Sequence, residues 1–207
     1  AGTIIASGLG SGFGGRMLCL SAQDTIAVPY ELEVEVRLDD ESGAAGLVFH
    51  ADGQNKHYGF YPTNKSLRLT CFEGQSVYSW NILNTVTSQM YRPGQWNRLR
   101  VKLKEKGKIM CFLNDELVIE ITDSSLQNGK VGLCKFRVPT AEFRNFKQAK
   151  SFPTSLISPQ TRRKIKNITK NLTELEPLSE QDLEQLVAMG SSVPQAIKDQ
   201  ALILEKK

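Results

Sequence analysis

The chain has 207 residues, 26 Lys and Arg against 22 Asp and Glu for a net charge of +4, and 40% hydrophobic residues. That length suits one all-β domain with a true core plus an appendage. So modest a charge, with no arginine-rich run interleaved with aromatics, makes no nucleic-acid footprint, and no apolar run approaches the roughly 18 residues of a membrane span.

The opening, Ala1 to Gly8, reads as the interior of a strand, so the expectation is a segment of a longer protein, in which a missing signal peptide says little about compartment. Residues 8–15, GLGSGFGG, lack the lysine of a phosphate-binding loop and neither follow a clear strand nor start a helix, so they read as a flexible loop. A short strand follows from Arg16 to Leu20. From Tyr30 to Leu38 apolar and charged residues alternate, which turns Tyr30, Leu32, Val34, Val36 and Leu38 inward and leaves Glu31, Glu33, Glu35 and Arg37 in water. A strand with one dry face needs a second layer, and an antiparallel sandwich supplies it.

Gly43 to His50 is a turn feeding a buried strand, and residues 51–56 form a loop rich in turn formers. His57 to Tyr61 is a strand that stops at Pro62, and residues 63–65 return the chain into Ser66 to Phe72. Val77 to Leu83 is a further candidate strand. Asn97 to Lys104 alternates again, with Leu99, Val101 and Leu103 inward and Arg98, Arg100, Lys102 and Lys104 outward. Lys108 to Leu113 and Glu116 to Ile121 flank a tight Asn114–Asp115 turn as a hairpin. Gly129 to Phe136 and Thr140 to Phe146 complete about ten strands without a helix among them, the pattern of a sandwich or barrel. The acidic row Glu31, Glu33, Glu35 and the basic row Arg98, Arg100, Lys102 predict antiparallel neighbours in one sheet, because facing opposite charges contribute roughly 0.2 to 1 kcal/mol per pair.

Past about Lys150 the glycines thin out and the spacing becomes helical. Residues 1–150 therefore read as the sandwich, 151–159 as a linker and 160–207 as a helical segment leading into a further domain. Ile165, Ile168 and Leu172 lie at helical spacing, Ser179 starts a second helix stopped by Gly190, and a third opens near Pro194. Helices this short need support, so the tail is expected to pack on the sandwich or on another domain.

The succession from Tyr30 to Arg37, then Gly46–Phe49, Pro93–Val101, Phe112–Val118, Gly129–Leu133 and Glu142–Phe146, resembles the concanavalin A-like lectin/glucanase superfamily. Within it the chain is most similar to laminin-G-like domains and to the bacterial 3-keto-disaccharide hydrolase family, over roughly Met17 to Lys147. The resemblance implies a jelly roll of two curved antiparallel sheets, glycan recognition at the concave face and rim, and an envelope or secreted setting. Two departures stand out. The region from Thr70 to Arg92 is short where the hydrolases carry a long insertion, and the Glu-x-Asp-x-x-Glu arrangement of retaining glucanases is missing.

Sugar recognition takes flat aromatic faces and planar polar groups. His57, Tyr58, Tyr61, Asn64, Arg68, Tyr78 and Trp80 supply both from connected strands, although strand parity sends some of them into the core. Asp52 and Asn55 are the calcium candidates, but with one carboxylate a plain turn is the preferred reading. Cys19, Cys71, Cys111 and Cys134 sit singly in apolar runs and read as core residues; with only His50 and His57 beside them no zinc site or other cofactor is indicated. The loop carboxylates Asp52, Glu73, Asp115, Glu116 and Asp123 form no recognisable hydrolytic pair, and both histidines read as structural. The preferred function is a non-catalytic glycan-binding module of a larger multidomain protein. A glycoside or 3-keto-sugar hydrolase and a structural scaffold are the alternatives.

Overall fold

In the computed structural model, which describes residues 2–23 and 26–152, the alternating segments become twelve strands. They are β1 (Ile4–Ser7), β2 (Met17–Leu20), β3 (Tyr30–Arg37), β4 (Ala44–Ala51), β5 (Lys56–Thr63), β6 (Ser66–Glu73), β7 (Trp80–Val86), β8 (Asn97–Lys104), β9 (Lys108–Leu113), β10 (Glu116–Thr122), β11 (Lys130–Phe136) and β12 (Thr140–Ala149). Two antiparallel six-stranded sheets result, in the orders β1-β12-β3-β8-β9-β10 and β2-β11-β4-β5-β6-β7. No α-helix occurs among the described residues. The expected helical segment 160–207 and residues 153–159 of the linker lie outside them.

The two sheets share one apolar interior. Leu32, Val34, Leu99 and Val101 from the first meet Leu47, Phe49, Phe60, Leu67 and Leu69 from the second, all fully buried. The sharp hairpins follow from their residues: Asn64–Lys65 at φ 47° and 59°, and Asn114–Asp115 at 48° and 72°, hold two consecutive positive φ angles, a geometry that Asn and Asp tolerate and that matches strand twist.

The predicted neighbours pair as expected: β3 and β8 run antiparallel, with Glu31 opposite Lys102, Glu33 opposite Arg100 and Glu35 opposite Arg98. On its other edge β3 meets β12, which sets Arg37 against Glu142, Glu35 against Arg144 and Glu33 against Lys147. The acidic strand thus lies between two basic neighbours.

Four expectations need correction. Glu31 is not in water; it is 1% exposed, because Arg100, Lys102 and the Phe152 amide close over its carboxylate. Cys19 is exposed, while Cys71, Cys111 and Cys134 are buried. Residues 77–79 make a 3-10 turn, and the strand begins at Trp80. The glycine-rich stretch is pinned: Ser11 and Arg16 exchange backbone hydrogen bonds of 3.0 and 2.9 Å, and the Gly14 carbonyl accepts the Arg137 amide at 3.0 Å.

Candidate functional site

Strand parity on the second sheet decides which of the candidate residues can meet a ligand. In β5, Tyr58 and Phe60 turn to the core while His57, Gly59 and Tyr61 turn outward; in β6, Leu67, Leu69 and Cys71 go inward while Arg68, Thr70 and Phe72 face out. Register then sets Tyr61 opposite Arg68, His57 opposite Phe72, and Phe72 opposite Trp80. Phe136 reaches the same face from β11.

The rings stack in a row. Phe72 lies 4.6 Å from His57, 5.6 Å from Phe136 and 6.0 Å from Trp80, with interplanar angles of 29°, 5° and 20°. Tyr61 leans on Phe136 at 5.2 Å. Offset pairs at such spacings contribute about 0.5 to 1.5 kcal/mol each beyond burial. Guanidinium groups lie on the row as well: Arg16 is 5.7 Å from the Phe72 centroid and Arg68 is 5.7 Å from that of Trp80. Gly59 makes room for this packing, since a Cβ there would stand 2.7 Å from Tyr61 Cε1.

Where the row meets solvent it opens a cleft of about 80 Å³ lined by Tyr61, Arg68, Phe72, Trp80, Phe136 and Arg137, with Gly14 and Ala44 at its margin. No carboxylate belongs to this lining among the described residues. Tyr61 is nearly buried, its hydroxyl 3.0 Å from Thr70 Oγ1, and burial pushes its pKa up to about 12, so it stays a neutral hydroxyl. His57 is fully buried under the rings; desolvation, aided by the Arg16 charge, lowers its pKa to about 4 and keeps the imidazole neutral.

Of the candidate residues, Tyr61, Arg68 and Trp80 converge on the cleft and His57 forms its buried support. Tyr58 does not: it is a core residue stacked on Phe49 at 5.2 Å, and its hydroxyl donates to Asp123 and accepts the Leu126 amide. Asn64 occupies the β5–β6 turn, its amide donating to the Glu41 carbonyl at 2.9 Å. Tyr78, at 93% exposure, stands on the 3-10 turn outside the lining. In the loop weighed for calcium, Asp52 Oδ1 accepts the amides of Gln54, Asn55 and Lys56 at 2.7, 2.9 and 3.0 Å, and Asn55 Oδ1 accepts Arg16 Nη2 at 2.8 Å. Asp52 Oδ1 thus braces the turn, and Asn55 Oδ1 anchors Arg16 from 39 residues away.

Phe72, Phe136, Arg16 and Arg137 were missed. Phe72 was legible, since it shares the parity of Arg68 in one strand; the other three come from distant segments.

The loop carboxylates are scattered and engaged: Asp115 by Arg98, Glu116 by Ser88 at 3.1 Å, Glu73 by Asn81 at 2.8 Å, and Asp123 by Tyr58. A larger hollow of about 280 Å³ lies at one end of the sandwich beside His50, Lys106 and Asp123. Two of its titratable groups tie down the 123–126 loop, His50 Nδ1 donating to the Leu126 carbonyl at 2.8 Å and Asp123 accepting from the Tyr58 hydroxyl, while Lys104, Glu105, Lys106 and Lys108 line the rest. Among the described residues its lining holds no stacked aromatic row.

A family model described as the 3-keto-alpha-glucoside-1,2-lyase-like domain matches residues 21–148. The chain matches no curated protein. Among solved structures, the carbohydrate binding module CBM66 from Bacillus subtilis has a TM-score of 0.55 at 19% identity, covering 71% of this chain and 94% of that one. A fructosyltransferase from A. japonicus has a TM-score of 0.51 at 11% identity, covering 74% of this chain and 26% of that one. At such identities the likeness is one of fold, a concanavalin A-like jelly-roll sandwich.

Proposed function

The chain belongs to the family of 3-keto-alpha-glucoside-1,2-lyase-like domains, and from that premise we propose that it is a non-catalytic glycan-binding module whose ligand lies across the cleft on the second sheet. The observation that carries this reading is the lining itself: aromatic faces and guanidinium groups without a carboxylate. A half-exposed Trp80 offers a flat apolar face to one side of a sugar ring, while Arg68 and Arg137 offer planar donors to its oxygens. At about 80 Å³ the cleft is far below the few hundred Å³ of an enclosing pocket, so a ligand rests on it and keeps much of its water.

Chemistry fits this surface less well. Elimination from a 3-keto glycoside removes a proton beside the ketone and needs a positioned base; glycoside hydrolysis needs two carboxyl groups. The imidazole in reach of this row is that of His57, which is sealed beneath the rings and, taking up a second proton only at about pH 4, is a weak base. The binding module named CBM66, which shares the fold, adds weight to the binding reading.

A glycan array identifies the ligand, and calorimetry on the hits tests the site. Trp80→Ala should weaken binding severalfold, up to about tenfold, the scale of one lost stacking contact. Tyr78→Ala, outside the cleft, should leave it unchanged. Full affinity in Trp80→Ala, or a loss confined to Tyr78→Ala, would remove the cleft as the site.

A further inference from the structure

We infer that the glycan taken by this cleft is acidic, a saccharide carrying a uronate carboxylate; the inference rests on the glycan-binding reading and specifies its ligand class. The ion pairs among the described residues all belong to the first sheet and its turns, where Arg37, Arg98, Arg100, Lys102, Lys108 and Arg144 each meet a carboxylate. Around the cleft the pattern reverses. Arg68 and Arg137 line it, Arg16 lies on the Phe72 ring beside it, and none of the three makes an ion pair with a described carboxylate.

Arg16 is held in place by its bonds to the Asn55 carbonyl and Oδ1, at 3.2 and 2.8 Å. The Arg68 guanidinium carbon lies 5.7 Å from the Trp80 ring centroid, and its Nε is buried without a hydrogen-bond partner among the described residues. A guanidinium laid on an aromatic face keeps its charge, loses part of its water and has little rotamer freedom left to lose. Such a fork is matched by a planar carboxylate, which accepts two parallel N–H bonds. Asp52 acts on the Arg16 charge, but Arg68 and Arg137 have no carboxylate in the cleft lining, so a uronate can set its ring on Trp80 and its carboxylate toward Arg68 and Arg137.

The experiment is calorimetric titration of the whole chain with hexuronate oligosaccharides (galacturonate, glucuronate and mannuronate series), each beside its carboxyl-reduced neutral counterpart, with polyglutamate as a non-sugar polyanion. At least one uronate should bind tenfold or more tighter than its reduced counterpart, and should lose roughly tenfold in Arg68→Gln and again in Arg137→Gln, an exposed position where folding is not at stake. Polyglutamate should not compete. Equal binding of the acidic and neutral member of every pair overturns this inference and leaves the glycan reading standing. Binding of polyglutamate as tight as any uronate overturns it too, because the arginines would then act as bare charge. Failure of every saccharide, charged or neutral, overturns the glycan reading itself.

Discussion

The two outer faces of this sandwich are built from the same strand alternation and end in opposite states. On the first sheet, cations of β8 and β12 flank the glutamates of β3, so Glu31 bonds Arg100, Lys102 and an amide, and Glu35 bonds Arg144 and Asn145. Arginines lie near rings on both faces, Arg37 and Arg144 by Trp96 on the first and Arg16 and Arg68 by Phe72 and Trp80 on the second, but on the second the row from His57 to Trp80 has stacked rings where the first has carboxylates. A ligand that reaches for Arg37, Arg98, Arg100 or Arg144 on the first face must compete with the carboxylate each already holds. At the second it meets donors and apolar area already desolvated and held in position, which is where binding energy concentrates.

Acid should separate the two faces most strongly. His57 has its pKa lowered to about 4 from the ordinary 6.5, first by burial and then by Arg16. Between those values the unfolded chain takes a proton that the folded chain refuses, so this contribution is complete above about pH 6.5 and is lost as pH falls toward 4, by up to about 3 kcal/mol. His50, buried and also lowered, acts with the same sign. Burial pushes the Glu31 and Glu35 carboxyls up, but their donors and cations outweigh it and hold both below the ordinary 4.5, so the first face weakens only at lower pH. Urea midpoints at pH 7, 5.5 and 4.5 should fall steadily, and His57→Phe should flatten most of that slope; an unchanged slope would detach the aromatic row from it.

Next in size is Glu31→Ala, which leaves Arg100 and Lys102 together at side-chain exposures of 15% and 33% without their shared anion. A loss of about 2 to 3 kcal/mol in denaturant titration is expected, with glycan affinity unaltered. A change in affinity would mean that the faces are coupled. The smallest effect should come from Glu120→Gln, whose pairing with Lys108 at 2.5 Å lies about 40% exposed on both sides; calorimetric unfolding should shift by no more than about 0.5 kcal/mol.

Much of the scaffold was legible in the alternation, because a period of two has one physical meaning, a dry side and a wet side. The β3–β8 pairing was legible too, since only a cationic neighbour suits Glu31, Glu33 and Glu35. The burial of Glu31 was not, for it depends on Phe152 arriving from more than a hundred residues away. Of the site, Tyr61, Arg68 and Trp80 were within reach of composition and adjacency. Tyr58 was misplaced by adjacency alone: its parity assigns it to the core, and Asp123 receives its hydroxyl there.

The residues by themselves determined that this protein is two antiparallel layers around an apolar interior, because local side-chain parity suffices to say which atoms must leave water. Tertiary structure alone decided that Phe136, Arg137 and Arg16 join Phe72 and Trp80 on one surface while the acidic strand is neutralised on the other. That assignment rests on strand order and register between segments far apart in the chain, and no local pattern encodes which distant strand lies next to which.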